Sequence, residues 1–306
     1  MNSIKVKAPA TVANMVCGFD VIGMCLNEPA DIMELTLTHD RKVTIRSAEG
    51  YPLPTDPAKN TAGAPLLDML NELGSNTGFE VVIHKHIKPG SGIGSSAASA
   101  AGAVVAANHL LGNIFSREDL VRFAMSGEKV ASGVKHADNI APCIYGGITL
   151  IRSIFPLDII PISAPPLYVT VVHPQIEVKT SDARQILRKE VQLKDAIRQW
   201  GNIAGLVAGL LKNDFALVGR SLEDVIIEPV RSILIPGFET LKRNCLAAGA
   251  LGGGISGSGP SVFMLSTSEA IAQAVEAEMK AVYTGMSLFH HTYVTTISAT
   301  GVKIIG

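Results

Sequence analysis

The sequence contains 306 residues, and the usual size of roughly 100–200 residues per domain predicts about two domains. Hydrophobic residues make up 47% of the chain and charged residues 17%, which excludes a disordered chain because disorder requires low hydrophobicity and high net charge. Lysine and arginine total 26 against 27 aspartate and glutamate residues, for a formal net charge of -1. This balance excludes a strongly basic surface for nucleic acid or for an acidic membrane.

Two long runs without charged residues, 89–116 and 244–268, raise the question of a membrane protein. The first begins with glycines and serines, and the second contains six glycines between Gly249 and Gly259. A spanning helix needs about 20 predominantly apolar residues, so neither run is expected to cross a membrane. The N-terminus lacks the apolar stretch of a signal peptide, and the cysteines lack a CxxC spacing. Reduced thiols and a cytoplasmic location are therefore expected.

Predicted strands dominate the first part of the chain. Apolar side chains alternate with polar ones over 4–8, 32–37, 43–45 and 79–83, and a period of two residues is typical of half-buried strands. This pattern predicts an antiparallel or mixed sheet. Between these strands, segment 57–73 places leucines on one face and predicts a helix.

An alanine-rich helix is predicted directly after the glycine-rich turn in PGSGIGSSAAS (89–99). Alanine is the best helix former, and a helix that is apolar on all sides is expected inside a domain. Ser116 and Asp119 match the capping pattern of a second helix, which is predicted to end near Gly133. A loop over 133–147 and a strand over 148–152 follow.

The proline-rich segment 153–166 is predicted to contain the boundary between two domains, residues 1–160 and residues 161–306. Strands and helices then alternate without a repeating strand–helix–strand unit, which favours an α+β class over a doubly wound sheet. The predicted elements are a strand at 168–172, helices within 181–220, a helix at 238–248, a strand at 261–265, a helix at 268–282 and strands at 292–298 and 301–305.

The loop before the alanine-rich helix has the composition of an anion-binding site. Glycines at 90, 92 and 94 let the backbone curl with its N–H groups pointing inward, and the helix that follows directs its free N–H groups to the same place. Ser95 and Ser96 stand where one hydroxyl can cap the helix and the other can reach a phosphate or its metal. The loop lacks the lysine of a Walker loop and the glycine spacing of a dinucleotide fingerprint. A plain tight turn is the alternative.

A second glycine-rich segment, GGGISGSGPSVFML (252–265), lies between a predicted helix and a predicted strand. By itself it is equally consistent with an ordinary loop. Two glycine-rich segments in separate halves of a chain can also close over one ligand at a domain interface, which is a common position for a binding site.

Three segments in this order resemble the motifs of the GHMP kinases, the superfamily of galactokinase, homoserine kinase, mevalonate kinase and phosphomevalonate kinase. They are APATVANMVCGFD (8–20), PGSGIGSSAAS (89–99) and GGISGSGPSVFML (253–265). The resemblance implies an α+β fold of two domains, an N-terminal domain like ribosomal-protein-S5-domain-2 and a C-terminal ferredoxin-like α/β-plait domain. Met15-Val16-Cys17 departs from the Leu-Gly-Pro usual in the family.

Three further segments resemble the homoserine kinases within this superfamily: HADNIAPCIYGG (136–147), KTSDARQIL (179–187) and EPVRSILIPGF (228–238). The resemblance implies a homodimer that phosphorylates L-homoserine with ATP and Mg²⁺, a step of threonine biosynthesis. It places the metal at Ser96 and Glu128. The nucleotide-binding residues that it implies are Asn60, Pro89, Gly90, Ser91, Gly92, Ile93, Gly94, Ser95, Ser96, Ala97 and Ala98.

The matched motifs also supply residues for a zwitterionic substrate. Arginine binds a carboxylate through paired hydrogen bonds, and aspartate suits an ammonium group. The resemblance implies substrate contacts from Asn14, Asp20, His136, Thr180, Arg184 and Arg231. Glu128 and Asn139 are implied in catalysis, with Asn139 positioning the reacting hydroxyl. Asp138 is a possible base, and a reaction without any base stays open because positioning supplies much of the catalysis of phosphoryl transfer.

Three other functions remain open from the sequence. A related kinase with another acceptor would keep the nucleotide site, although the two arginines favour an amino acid. A ligand-binding regulator with the same fold would be free to lose Ser96, Glu128 and Asn139, which are all present. A nicotinamide-dependent oxidoreductase is disfavoured by the glycine spacing.

Overall fold

The computed structural model describes residues 2–74, 76–163, 165–178 and 180–306, and its strands form two sheets. The first half of the chain supplies β1 (Ser3–Ala13), β2 (Ile22–Thr38), β3 (Val43–Gly50), β4 (Gly78–Lys85), β5 (Ile148–Ile154) and β6 (Leu157–Ile162) to the first sheet. β2 is antiparallel to β1, β4 and β5, whereas β3 runs parallel to β4. This is the mixed sheet that the alternating pattern predicts.

The burial of β1 shows why the alternation forms a strand. Ile4, Val6 and Ala8 are buried, whereas Lys5 and Lys7 between them are partly exposed. Each buried apolar side chain favours folding in proportion to the apolar area that it removes from water. After Ala8 both faces of β1 are buried, because this end of the strand continues into the interior beside the glycine-rich loop.

The first half also forms α1 (Gly63–Leu73), α2 (Ser95–Leu110), α3 (Arg117–Ser132) and α4 (Ile140–Tyr145), with a short 3₁₀ turn at Pro57–Lys59. α2 contacts β1, β2 and each of the other three helices, and its small side chains allow this close approach. A β-carbon on Gly102 would lie 2.6 Å from the sulfur of Met33. The predicted capping of α3 by Ser116 and Asp119 is confirmed. α4 lies in the segment that was predicted as a loop.

The second half forms a four-stranded antiparallel sheet. Its strands are β7 (Tyr168–Pro174), β8 (Gly252–Ile255), β9 (Val262–Ser266) and β10 (His290–Thr296), and its helices are α5 (Thr180–Gln185), α6 (Leu193–Lys212), α7 (Phe215–Ser221), α8 (Glu228–Arg231), α9 (Phe238–Ala247) and α10 (Glu269–Gly285). The strand order is β10-β7-β9-β8, which is the order of a ferredoxin-like plait. The region 181–220 thus contains three helices.

β8 was not predicted, because three of its four residues are glycines and leave no alternation of side chains to detect. All four residues are buried. Gly253 has no room for a side chain, since a β-carbon there would collide with the carbonyl oxygen of Phe263 on β9. The start of the second glycine-rich segment is therefore an edge strand, and only the part after Ile255 is the expected loop.

The division of the chain into residues 1–160 and 161–306 stays a prediction. The position falls inside β6, which pairs with β5 in the first sheet. The last strand, β11 (Lys303–Ile304), also returns to the first sheet and pairs with β1. Among the described residues, the helices are all too short or too polar to cross a bilayer.

Candidate active site

A cavity of about 810 Å³ brings the motifs from both halves of the chain together. Its walls come from the glycine-rich loop, the segment around Asp20, the end of α3 and helix α5. The predicted site residues that line it are Asn14, Asp20, Asn60, Pro89, Gly90, Gly92, Gly94, Ser95, Ser96, Glu128, His136, Asp138, Asn139, Thr180, Arg184 and Arg231. One continuous cavity therefore joins the predicted nucleotide and substrate regions.

Four predicted nucleotide-binding residues do not line this cavity. Ser91, Ile93, Ala97 and Ala98 are almost completely buried behind the loop and the first turn of α2. Ile93 and Ala98 pack in the hydrophobic core, because successive residues of the loop face alternately the cavity and the interior. Their side chains support the loop from behind, so a contact of these four residues with the nucleotide would have to come from the backbone.

The backbone of the loop has the conformation that the glycines predict. Gly90, Gly92 and Gly94 all have φ between 70° and 82°, where a side chain would be strained. Gly94 is the N-cap of α2 and provides no side-chain cap, so the first N–H groups of the helix stay available for an anion. The hydroxyl of Ser95 donates to the carbonyl of Ile87 at 2.8 Å and does not cap the helix, contrary to one of the roles considered for it.

The second glycine-rich segment holds the first in place. Ser256 Oγ donates to the carbonyl oxygen of Gly92 at 2.7 Å, and Ser261 Oγ donates to that of Ser91 at 2.6 Å. A β-carbon on Gly92 would lie 2.6 Å from the carbonyl oxygen of Gly259. The two segments thus pack directly against each other.

Ser96 and Glu128 form a pair of oxygen ligands beside the loop. Ser96 Oγ donates to Glu128 Oε2 at 2.9 Å, and burial raises the pKa of Glu128. Hydroxyl and carboxylate oxygens are ligands that Mg²⁺ accepts, and a cation there would favour the ionised carboxylate. The described residues contain no cluster of three or more His, Cys, Asp or Glu side chains suited to a metal. The pair therefore fits a cation that takes its other ligands from phosphate and water.

The opposite part of the cavity contains an ion pair. Arg184 Nη2 lies 3.0 Å from both carboxylate oxygens of Asp20, and His136 Nδ1 lies 3.6 Å from Asp20 Oδ1. Burial lowers the pKa of His136, the charges of Arg184 and Arg231 lower it further, and the carboxylate of Asp20 opposes them. We therefore expect a neutral imidazole beside the ion pair at neutral pH.

Of the two predicted arginines, Arg231 is buried, whereas the side chain of Arg184 is partly exposed. The Nε of Arg231 donates to the carbonyl of Ala183 at 3.0 Å, and Nη1 donates to that of Gly257 at 3.1 Å. The ring of Phe19 lies 4.9 Å from the guanidinium of Arg231 and 5.4 Å from that of Arg184. An aromatic ring attracts a cation at this distance, so Phe19 offsets part of the repulsion between the two arginines. Phe19 lies inside the 8–20 motif but was not among the predicted site residues.

Asn14 fixes the turn that carries Asp20. Its Nδ2 donates to the carbonyl of Gly257 at 2.9 Å, and its Oδ1 accepts from the backbone N–H of Asp20 at 3.1 Å. Asn14, Met15, Val16 and Asp20 all have positive φ. For a β-branched residue such as Val16, which stands where the family has glycine, this conformation costs about 1–2 kcal/mol. Asn14 therefore already has a role in the fold, and its predicted contact with the substrate hydroxyl stays a prediction.

Two further predicted residues are held by the protein itself. Thr180 Oγ1 lies 3.2 Å from Ser258 Oγ at the cavity edge, which joins α5 to the second glycine-rich segment. Asn60 is 1% exposed; its Nδ2 donates to the carbonyl of Pro54, and its Oδ1 accepts from the N–H groups of Ala62 and Gly63. Asn60 thus organises the turn before α1, and its contact with the nucleotide stays a prediction. Lys179, which begins the 179–187 motif, lies outside the described residues.

Asp138 and Asn139 stand side by side between the two parts of the cavity. Asp138 is almost completely buried. Burial raises its pKa to about 7, and the nearby charges of Asp20 and Glu128 raise it in the same direction. Asn139 is the N-cap residue of α4 but makes no side-chain cap. Its side chain accepts a hydrogen bond from Thr11 Oγ1 at 2.8 Å, a contact that sequence reasoning did not find.

We expect Asp138→Asn to gain stability relative to the wild type as the pH rises. The pKa of Asp138 is about 7 in the folded protein and roughly 3.9 in an unfolded chain. Between these values the folded state binds more protons, so the free energy of unfolding of the wild type falls with rising pH. Asparagine does not titrate, so between about pH 5 and about pH 8 the stability difference between the two proteins should change by about 3 kcal/mol in favour of Asp138→Asn. Urea denaturation of both proteins at about pH 5 and about pH 8 measures this difference in the free energy of unfolding. If the difference is the same at the two pH values, the pKa of Asp138 is not raised.

A buried ion pair lies under the glycine-rich loop. Lys85, which is 1% exposed, pairs with the fully buried Asp31, and its Nζ also donates to the carbonyl of Ser95 at 2.7 Å and to Ser99 Oγ at 3.0 Å. Burial lowers the pKa of Lys85, and Asp31 opposes this effect. Lys85 thus connects the first sheet to the first turn of α2. The alternation did not reveal Lys85, because the predicted strand ends at residue 83, whereas β4 continues to Lys85.

Comparisons with known proteins agree with this geometry. GHMP kinases N terminal domain matches residues 60–147, and GHMP kinases C terminal matches residues 206–285. The homoserine kinase of Chloroherpeton thalassium is 49% identical, with 92% of each chain covered, and that of Chlorobium phaeobacteroides is 45% identical over 100% of both chains. The crystal structure of homoserine kinase from Cytophaga hutchinsonii is 50% identical, with a TM-score of 0.95 over 100% of this chain and 98% of that one.

These matches confirm the resemblance drawn from the motifs and the predicted α+β fold of two domains. The match to the enzyme of Chlorobium phaeobacteroides extends over the whole chain and is not confined to one of its halves. The chain belongs to the homoserine kinases of the GHMP kinase superfamily.

Proposed function

We propose that the protein transfers the γ-phosphoryl group of ATP to the hydroxyl of L-homoserine, giving O-phospho-L-homoserine and ADP for threonine biosynthesis. One observation carries the proposal. The cavity has an anion-binding loop in one part and, in another, two arginines with an aspartate, the charges that complement an α-amino acid. An acceptor bound between these charges would have its side-chain hydroxyl near Asp138 and Asn139.

The nucleotide part of the proposal uses the backbone of 90–96. Its free N–H groups and the N-terminus of α2 are suited to the phosphates of ATP. Mg²⁺ would be held by Ser96 and Glu128, and when bound it would neutralise charge that develops on the phosphates. The direct bond between Ser96 and Glu128 supports this assignment, because it keeps both oxygens within reach of one ion.

Asp138 and Asn139 are the residues proposed to act on the hydroxyl. Asn139 positions it, and Asp138 is the candidate for accepting its proton, since a pKa of about 7 suits a general base at neutral pH. Phosphoryl transfer has a loose transition state, so alignment of the hydroxyl with the phosphate supplies much of the rate. The proton can therefore leave late, when Asp138 needs to be only a moderate base.

ADP release with L-homoserine, L-serine, L-threonine, mevalonate and galactose as acceptors tests the proposal. We expect turnover to be highest with L-homoserine, and to require Mg²⁺. A methyl ester of homoserine keeps the hydroxyl and the ammonium group but removes the carboxylate, so it should be a poor acceptor. Equal turnover with the ester or with mevalonate would contradict recognition of an amino acid by the two arginines.

Arg231→Ala is expected to raise the KM for homoserine at least about thirty-fold, because loss of one partner of a buried charge pair costs on the order of 2–5 kcal/mol. The KM for ATP should change little. Lysine at this position should restore only part of the affinity, since a point charge cannot form paired hydrogen bonds. Initial rates at varied homoserine measure the effect. If wild type and variant discriminate equally between homoserine and its ester, Arg231 does not bind the carboxylate.

We also propose that the protein acts as a homodimer in the cytoplasm. The four cysteines are buried and unpaired, which supports a reducing compartment. Leu193, Ile197 and Trp200 are exposed and follow one face of α6, which makes this face the candidate for contact between subunits. Light scattering on the wild type and on Trp200→Glu tests the dimer.

A further inference from the structure

Thr11 makes a contact that no motif reveals, at the point where the nucleotide and acceptor parts of the cavity meet. Its side chain is completely buried at the end of β1. The hydroxyl donates to Oδ1 of Asn139 at 2.8 Å, across 128 positions of sequence. Its backbone N–H donates to the carbonyl of Ile93 in the glycine-rich loop at 3.2 Å. One residue therefore connects the phosphate loop with the side chain proposed to position the hydroxyl.

The glycine at position 94 leaves space for this contact. A β-carbon on Gly94 would collide with Thr11 Oγ1 and would lie 3.2 Å from Asn139 Oδ1. The bond between Thr11 and Asn139 thus lies directly against the last residue of the loop. Any shift of Asn139 towards or away from the phosphates would have to break this bond or displace the loop.

The hydrogen bond also determines which group Asn139 presents. A side-chain amide has one oxygen that accepts and one nitrogen that donates. Because Oδ1 is turned towards Thr11 and accepts its hydrogen bond, we infer that the Nδ2 group on the other side of the amide faces the cavity that Asn139 lines. Asn139 then acts as a donor, towards the oxygen of the acceptor hydroxyl or of the transferred phosphoryl group. An amide is not a base, so accepting the hydroxyl proton is left to Asp138 or to phosphate.

We infer that Thr11 is a positioning residue, which holds the amide of Asn139 with its donor facing the reacting oxygens at a fixed distance from the phosphate loop. This role rests on the proposed kinase function, since it assigns the acceptor hydroxyl to Asn139. Thr11 itself is completely buried and is not part of the cavity lining. Its contribution is therefore expected in kcat rather than in the KM of either substrate.

The experiment compares Thr11→Val, which keeps the shape but removes the donor, with Thr11→Ser, which keeps the donor. We expect Thr11→Val to lower kcat at least about five-fold, the typical effect of one lost neutral hydrogen bond, and to leave both KM values within about two-fold. Thr11→Ser should recover most of kcat. In an Asn139→Ala background, Thr11→Val should cause no further loss, because the two residues act as a unit.

Thr170→Val is the matched control. Thr170 is also fully buried in a strand, but it lies in β7 of the second sheet, and its hydroxyl donates to the carbonyl of Ala272 on α10 at 3.0 Å. This variant should lose a similar amount of stability in thermal unfolding and keep its kcat. If Thr11→Val does not fold, Thr11→Ala replaces it in the same comparison.

Two results would overturn the inference: a wild-type kcat in the hydroxyl-free variant, or an equal loss with and without Asn139. The first means that the bond is irrelevant to turnover, and the second that Thr11 acts on the fold alone. If homoserine does not stimulate ADP release by the wild type, the proposed acceptor is wrong, and this result does not bear on Thr11. The same variants are then compared with the acceptor that gives the highest turnover.

Discussion

Replacing Glu128 by glutamine should lower kcat about 100-fold or more, with little change in thermal stability. A factor of about 100 corresponds to about 2.7 kcal/mol of lost transition-state stabilisation. Glutamine keeps the size of the side chain and can still accept from Ser96 Oγ, which now donates to Glu128 at 2.9 Å. It lacks the negative charge that a divalent cation requires, so more Mg²⁺ should be needed for half-maximal activity.

Glu118→Gln is the control for this change. Glu118 lies in the first turn of the same helix, α3, and its side chain is exposed. Initial rates over a Mg²⁺ titration compare the two variants with the wild type. We expect Glu118→Gln to match the wild type at every concentration. If Glu128→Gln also does so at limiting Mg²⁺, Glu128 is not a metal ligand and the assignment of the site is wrong.

The largest loss of stability is expected from Lys85→Met. Removing one member of a buried ion pair costs about 3–5 kcal/mol, because the other charge is left without a partner in the interior. Here the carboxylate of Asp31 would keep only the N–H groups of His86 and Ile87, each at 2.8 Å. Loss of the bond from Lys85 to the carbonyl of Ser95 should also loosen the first turn of α2 and weaken ATP binding.

Urea denaturation of three variants separates the charge effect from the loss of the side chain. Lys85→Met with Asp31→Asn should be more stable than Lys85→Met alone, since no buried charge remains. Lys5→Met removes a pair with Glu34 on the same sheet, but both side chains are more than 40% exposed, and such pairs contribute at most about 1 kcal/mol. If Lys85→Met lowers the free energy of unfolding no more than Lys5→Met does, the buried amine is uncharged or dispensable.

Local patterns in the sequence predicted most of the fold. The alternation in β1 and β4, the capping of α3 by Ser116 and the alanine-rich helix α2 each depend on residues near one another in sequence. β8 was missed because glycines carry no side-chain pattern, although its backbone pairs with β9. The return of β11 to the first sheet was missed because pairing between distant strands leaves no local signal.

In the candidate site, too, local motifs could be recognised in the sequence and contacts between distant residues could not. The motifs supplied the predicted site residues, and the cavity brings most of them together. They did not identify the residues that hold them: Phe19 between the arginines, Thr11 on Asn139, and Lys85 under Ser95. These supporting contacts join distant elements of the fold. Such contacts can be read only from the three-dimensional arrangement. Phe19 and Thr11 lie inside the 8–20 motif, but the motif does not show what they touch.

The ion pair between Asp20 and Arg184 has a consequence for how the pocket selects its occupant. Within the protein each group satisfies the charge of the other, with about one third of each side chain exposed. A molecule with both an ammonium and a carboxylate can replace this pair by two new ones, so the exchange leaves no charge without a partner. A simple amine or a simple acid would separate the pair and satisfy only one half of it. The ion pair between Asp20 and Arg184 therefore opposes the binding of singly charged molecules. A zwitterion can replace it at a low cost in free energy.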